Sequence, residues 1–167
     1  MTEPNDRLSD SERVATGRPQ PGRSLFSRLF NVRGGKLPTL PDGTRVYAIG
    51  DIHGRLDLLD QILGLIAQDD AQADISKILV FLGDYVDRGP ESKGVLSRLL
   101  QPMPGNYEVH YLKGNHEHSL LGFLDDPSFY RAWRHYGAME CLASYGVKPP
   151  LYDDDDTIIG ARDELAE

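Results

Sequence analysis

Three times along the chain a short apolar run gives way to a polar turn containing glycine, followed by apolar residues at helical spacing. The first run, residues 45–49 (RVYAI), is β-prone. After the turn at 50–54, Leu56, Leu59, Ile62, Leu63 and Ile66 recur with the three-and-four period of one helix face, which predicts a helix over 56–67. The second run, 77–82 (KILVFL), is almost continuously apolar, the pattern of a strand buried on both faces. It leads through 83–90 into a predicted helix over 91–100, with Pro90 suited to the opening position. The third run, 107–112 (YEVHYL), passes through 114–117 into a predicted helix over 118–124. Farther on, 129–145 predicts one or two helices with Trp133, Met139, Leu142 and Tyr145 as core candidates.

Strand, turn and helix in succession predict an α/β layer of parallel strands joined by right-handed crossovers. Ligands of such sheets sit beyond the carboxyl ends of the strands, so the three turns should converge on one site. Those turns carry Asp51, His53, Asp84, Asp87, Arg88, Asn115 and His116, whereas the strands before them are apolar. The polar chemistry is concentrated where this architecture places its ligands.

Composition narrows the partners. The chain has 167 residues, 40% hydrophobic and 26% charged, which suits one ordinary globular domain. A formal net charge of −8 argues against a general nucleic-acid binder or a stable membrane-surface association, because both partners are polyanionic. A compact phosphorylated substrate stays compatible, since a bound cation would dominate the local field. The single cysteine, Cys141, allows no internal disulfide, and a reducing, cytoplasmic compartment is expected.

Residues 1–43 read as a disordered leader and linker, and 44–167 as the folded domain. Within the leader, 23–33 sets Leu25, Phe26, Leu29 and Phe30 among Arg23, Arg28 and Arg33. So short a basic amphipathic helix is more simply read as packing on its own domain, or staying flexible, than as docking on a membrane or partner. The acidic run 153–156 lacks the spacing and glycine of a calcium loop and reads as a solvated loop. His110, His118 and His135 read as structural histidines.

The turns themselves carry the candidate chemistry. Residues 50–54 (GDIHG) offer an aspartate and a histidine that can face one ion, although such a pair alone also serves as a hydrogen-bonding cap. Residues 83–89 (GDYVDRG) add two carboxylates and a guanidinium, suited to one metal ligand, one orienting group and one oxyanion clamp. Residues 114–117 (GNHE) add a neutral oxygen ligand beside an imidazole.

In this order the three motifs resemble the signature of the calcineurin-like metallophosphoesterases, in particular their bacterial serine/threonine protein phosphatase-like branch. The resemblance covers about residues 45–146, including the segment 133–137 that follows GNHE. It implies a metallophosphoesterase-type layered β-sandwich flanked by helices, of which this chain carries about the first half. It makes Asp51, His53 and Asp84 the ligands of one divalent metal ion, with Asp84 bridging to a second ion also held by Asn115. Manganese is the expected metal, with iron or zinc as alternatives. The implied reaction is hydrolysis of a phosphomonoester, on a phosphorylated protein or a small molecule, by direct attack of a dimetal-activated water. His116 would protonate the leaving oxygen, Asp87 would orient His116, and Arg88 would bind the phosphoryl oxygens.

The resemblance also marks a departure. The family's second metal takes two further histidines from later in the fold, and no histidine follows His135 here. The expectation is a truncated chain with an incomplete second site, little or no activity, and an exposed apolar face and sheet edge. Two rivals stay open: a symmetric dinucleoside tetraphosphatase, which typically has Asn at the position of Asp87 and Asp at that of Glu117, and a non-catalytic metal-binding or interaction fragment.

Overall fold

The structure, a computed structural model, describes residues 39–69, 75–103 and 105–167. Most of the proposed leader, with the basic segment 23–33, lies outside the described residues. The three apolar runs form strands β1 (Thr44–Ile49), β2 (Ser76–Phe81) and β3 (Glu108–Tyr111), paired in parallel in the order β1-β2-β3. Tyr47 stands opposite Leu79 and Val109 opposite the same residue from the other side, while Ile49, Phe81 and Tyr111 form the next rung. Helices α1 (Leu56–Asp69), α2 (Ser92–Leu99) and α3 (Asn115–Asp125) follow the strands in turn. A 3-10 turn, Pro127–Phe129, then leads to α4 (Tyr130–Trp133), a second 3-10 turn Arg134–Tyr136, α5 (Ala138–Tyr145) and α6 (Asp155–Ala166).

Because successive strand side chains alternate between faces, the two sides of the sheet can be judged separately. Leu79 and Phe81 are buried, and Tyr47, Ile49 and Val109 pack with them against the core. On the opposite face Val46, Ile78 and Val80 are only half-buried, and Ala48 and His110 are exposed. The expectation that 77–82 is buried on both faces is therefore corrected: its apolar composition is two-sided, but its cover among the described residues is one-sided. The described residues form one three-stranded parallel sheet with flanking helices, consistent with the expected part of a layered α/β fold. Among the described residues β1 and β3 are its outer strands, and Leu82, Tyr111 and Leu112 are about half exposed at the strand ends.

Helix α1 buries Leu59, Leu63 and Ile66, while Ile62 turns outward at the margin of the stripe. The later helices enclose an aromatic cluster in which Phe123 lies 5.8 Å from Tyr130 and 5.3 Å from Trp133, all fully buried. Each such ring contributes about 1.5–3 kcal/mol through removal of its apolar surface from water. Trp133 and Leu142 are core residues as expected. Met139 is not, because Ala138 and Leu142 define the inward face of α5 and Met139 lies off it. The acidic run is also more ordered than a plain solvated loop. Asp154 caps α6 by accepting from the Thr157 N–H at 3.1 Å, and Arg131 joins Asp153 to Asp155.

Two helix starts differ from the spacing. α2 begins at Ser92, two residues beyond Pro90, with Glu91 as its N-cap in a non-helical backbone conformation and its N–H donating to the Gly54 carbonyl at 3.0 Å. α3 begins at Asn115, so His116 and Glu117 lie in its first turn and not in a preceding loop.

Candidate metal centre and active site

Backbone hydrogen bonds fasten the first two strand-end turns to each other. The N–H groups of Ile52 and His53 both donate to the Asp84 carbonyl, at 3.0 and 2.9 Å, and Gly54 donates to Tyr85 at 2.8 Å. Gly83, at φ 102°, packs directly on the backbone of Gly114, so the second and third turns touch where a side chain on either would collide. The four non-glycine residues described with positive φ are His53, Asp84, Asp87 and Arg88, all in these turns. Such backbone costs on the order of 1–3 kcal/mol per residue and clusters at functional sites.

His53 is held by one ring nitrogen only. Its Nδ1 lies 2.9 Å from the Val86 carbonyl, which can only accept, so Nδ1 carries the proton and Nε2 presents a bare lone pair. That Nε2 is buried and has no hydrogen-bond partner among the described residues. Asp84 stands beside it, half-buried, with Oδ1 accepting the His116 backbone N–H at 3.1 Å. Donor atoms of His53, Asp84 and His116 all lie within 4.8 Å of one another. Asp51 is at the rim: two-thirds exposed, its Oδ2 is 3.8 Å from His53 Nε2. Asn115 opens α3, exposed, next to His116.

This arrangement fits a divalent cation. An imidazole fixed through Nδ1 to a carbonyl, with its other nitrogen bare and buried among carboxylates, has the orientation a metal-ligating histidine adopts. Mixed imidazole and carboxylate donors suit manganese, iron or zinc.

Behind it lies a second, fully enclosed group. Asp87 is buried, and its Oδ2 accepts from both His116 Nδ1 and Trp133 Nε1, each at 2.7 Å. Its backbone N–H donates to Ser92 Oγ at 3.0 Å. Burial pushes the Asp87 carboxyl up, and the bonds from His116 and Trp133 draw it partly back. With Nδ1 donating to Asp87, the Nε2 of His116 is the nitrogen left toward the site, 3.3 Å from Arg88 Nη2. The His53 and His116 rings meet edge to face at 4.5 Å.

The three turns thus bring Asp51, His53, Asp84, Asp87, Arg88 and His116 into one neighbourhood, with Asn115 at its border. The other histidines lie elsewhere in their own contacts. His110 pairs with Glu108 on β3 at 2.9 Å, His118 meets the Phe129 ring, and His135 is exposed. Two further side chains take part in the site. Trp133 was a core candidate only, yet its indole N–H anchors Asp87. Glu117 had no assigned role, yet its carboxylate accepts four backbone N–H groups of the site turns. Its place three residues after the helix-capping glycine was the available signal.

Comparison with known proteins agrees with the geometry. The profile of the calcineurin-like phosphoesterase family matches residues 44–160. The chain belongs to that family. Among curated relatives it is 39% identical over 84 residues to a serine/threonine-protein phosphatase of Arabidopsis thaliana, covering 47% of this chain and 8% of that protein. It is 40% identical over 78 residues to a symmetrical bis(5'-nucleosyl)-tetraphosphatase of Legionella pneumophila, covering 47% of this chain and 26% of that protein. An asymmetrical bis(5'-nucleosyl)-tetraphosphatase of Oceanobacillus iheyensis is 32% identical over 84 residues, 48% of this chain and 33% of its own. The match therefore spans from under a tenth to a third of these relatives' lengths. No helix among the described residues is long and apolar enough to cross a membrane.

Proposed function

We propose that the chain carries the metal-binding half of a phosphomonoester hydrolase of the serine/threonine phosphatase type. The observation that carries this reading is the bare, buried Nε2 of His53 beside Asp84, at the meeting point of the three strand-end turns. Asp51, His53 and Asp84 would hold one divalent cation, and Asp84 with Asn115 would hold part of the shell of a second. Asp51 is preferred over His116 as the third ligand. Both His116 nitrogens are already engaged, by Asp87 and Arg88, while the exposed Asp51 side chain is free to turn inward.

When bound, the cations supply Lewis-acid charge and an acidified water for in-line hydrolysis. The chain's own groups do the rest. Once protonated at Nε2, with Arg88 turned to the phosphoryl oxygens, His116 would pass that proton to the departing oxygen, while Asp87, anchored by Trp133, keeps Nδ1 as the other protonated position. The Arg88 guanidinium, beside Nε2, offers its fork to the phosphoryl oxygens. The unpaired Cys141 suits a reducing, cytoplasmic setting.

Two oxygen donors, from Asp84 and Asn115, hold a transition metal weakly without imidazoles. The expected result is slow manganese-dependent turnover of a phosphoserine peptide or p-nitrophenyl phosphate by the purified chain, abolished by Asp84→Asn. Faster cleavage of diadenosine tetraphosphate would favour the tetraphosphatase reading, to which the Legionella relative lends a name. Absence of any Asp84-dependent turnover would favour the non-catalytic metal-binding fragment.

A further inference from the structure

Glu117 is the most heavily hydrogen-bonded side chain of the site, and the partners of its carboxylate there are backbone N–H groups. Its Oε1 accepts the N–H groups of Tyr85 at 2.7 Å and Val86 at 3.2 Å; its Oε2 accepts those of Asp84 at 2.8 Å and Gly114 at 2.9 Å. Three of these donors are consecutive amides, with Asp84 in the left-handed region at φ 56°. Successive amides in such a turn form a concave nest that binds an anion. Here the anion is a side chain of the same molecule, 8% exposed, placed by the first turn of α3.

The arrangement has two consequences. Four amides that the turn would otherwise bury without partners are satisfied by one carboxylate. The turn after β2 is also tied to the turn after β3, because the same Oε2 bonds both Asp84 and Gly114. Asp84 cannot relax from its left-handed backbone without breaking its bond to Glu117, and that backbone keeps its Oδ1 on the His116 N–H and its carboxylate beside His53.

We infer that Glu117 is a positioning residue: its carboxylate fills the amide nest of residues 84–86 and so holds Asp84 in the conformation that receives the cation. The inference rests on the metal-site reading above. It concerns a residue outside the metal ligands and substrate-binding groups assigned there.

Glu117→Gln keeps the shape but replaces one acceptor oxygen by an NH2 group that faces two N–H donors. The metal-free chain and this variant are compared by amide hydrogen exchange, and both are titrated with manganese while the free-ion electron paramagnetic resonance signal is followed. The expected result is exchange at Asp84, Tyr85 and Val86 at least tenfold faster in Glu117→Gln, with the β2 amides unchanged, and manganese affinity lower by about 10–100-fold. A merely structural residue would speed exchange throughout the sheet and leave the affinity of the folded fraction intact. Unchanged exchange at 84–86, or unchanged affinity in the folded variant, overturns the inference. If the wild-type chain binds no manganese, the metal-site reading fails instead, and the exchange comparison still decides whether Glu117 holds the turn. Should Glu117→Gln not fold, Glu117→Asp, which keeps the charge but is one methylene short, serves in its place. It is expected to lose several-fold in affinity, and wild-type affinity would overturn the inference.

Discussion

At the scale of single residues the site is organised by buried polar groups held from one side by defined partners. Asp87 accepts from His116 and Trp133 on one oxygen, while the other, Oδ1, has no hydrogen-bond partner among the described residues. Cys141 lies in the same enclosure. Burial pushes its thiol up to about 12, and the Asp87 charge adds to the shift. At pH 8 the native thiol is therefore held in its protonated, unreactive form. Iodoacetamide at that pH is expected to leave the native chain unmodified while labelling the urea-unfolded chain; equal rates would contradict the enclosure. The sign of the accompanying stability effect follows from the raised value. The folded state keeps a proton that the unfolded state loses near about 8.5, so this contribution is complete below that pH and is lost as pH rises toward 12.

Residue identities in the turns were legible because glycine, aspartate and histidine stood where apolar runs stopped. The roles of Trp133 and Glu117 were not. Trp133 reaches Asp87 across 46 positions of sequence, and Glu117 reaches Tyr85 across 32. Neither distance has a periodic signature. An indole in an aromatic-rich helix reads as core, and it is core; only the packed structure shows that its one polar atom has a designated acceptor.

At the scale of elements, the three strands and the helices after them stand where the apolar pattern places them, with ends moved by at most three residues. The shifts have causes that spacing does not contain. Glu91 takes a non-helical N-cap conformation, which starts α2 at Ser92, and Glu117 reaches back to the Gly114 N–H, which starts α3 early. Met139 was misassigned because an eight-residue helix offers too few turns to fix its phase. The cover of β2 was misjudged because an apolar strand does not say which of its faces will meet a helix.

The contact between turns makes a prediction at this scale. Gly83→Ala must adopt φ 102° and push a methyl group into the backbone of Gly114. Backbone incompatibility alone destabilises by more than about 1 kcal/mol, and the collision adds to it. A lowered urea midpoint with loss of manganese binding is expected. A variant as stable as the wild type would mean that these turns are not packed as described.

At the scale of the whole molecule, a three-stranded parallel sheet gathers its three carboxyl-end turns at one place, and family membership agrees with what stands there. That convergence was legible in the sequence, because strand, turn and helix three times over leave few ways to arrange the chain. The half-covered second face of the sheet was legible only in outline.

The central claim is that these turns form a cation site around His53 and Asp84, and a metal-soaked crystal tests it most directly. Manganese located by anomalous scattering is expected within bonding distance of His53 Nε2 and the Asp84 carboxylate, with Asp51 turned inward to join them. A manganese peak elsewhere, or His53 Nε2 bonded to a protein group or water with no ion nearby, would contradict the account.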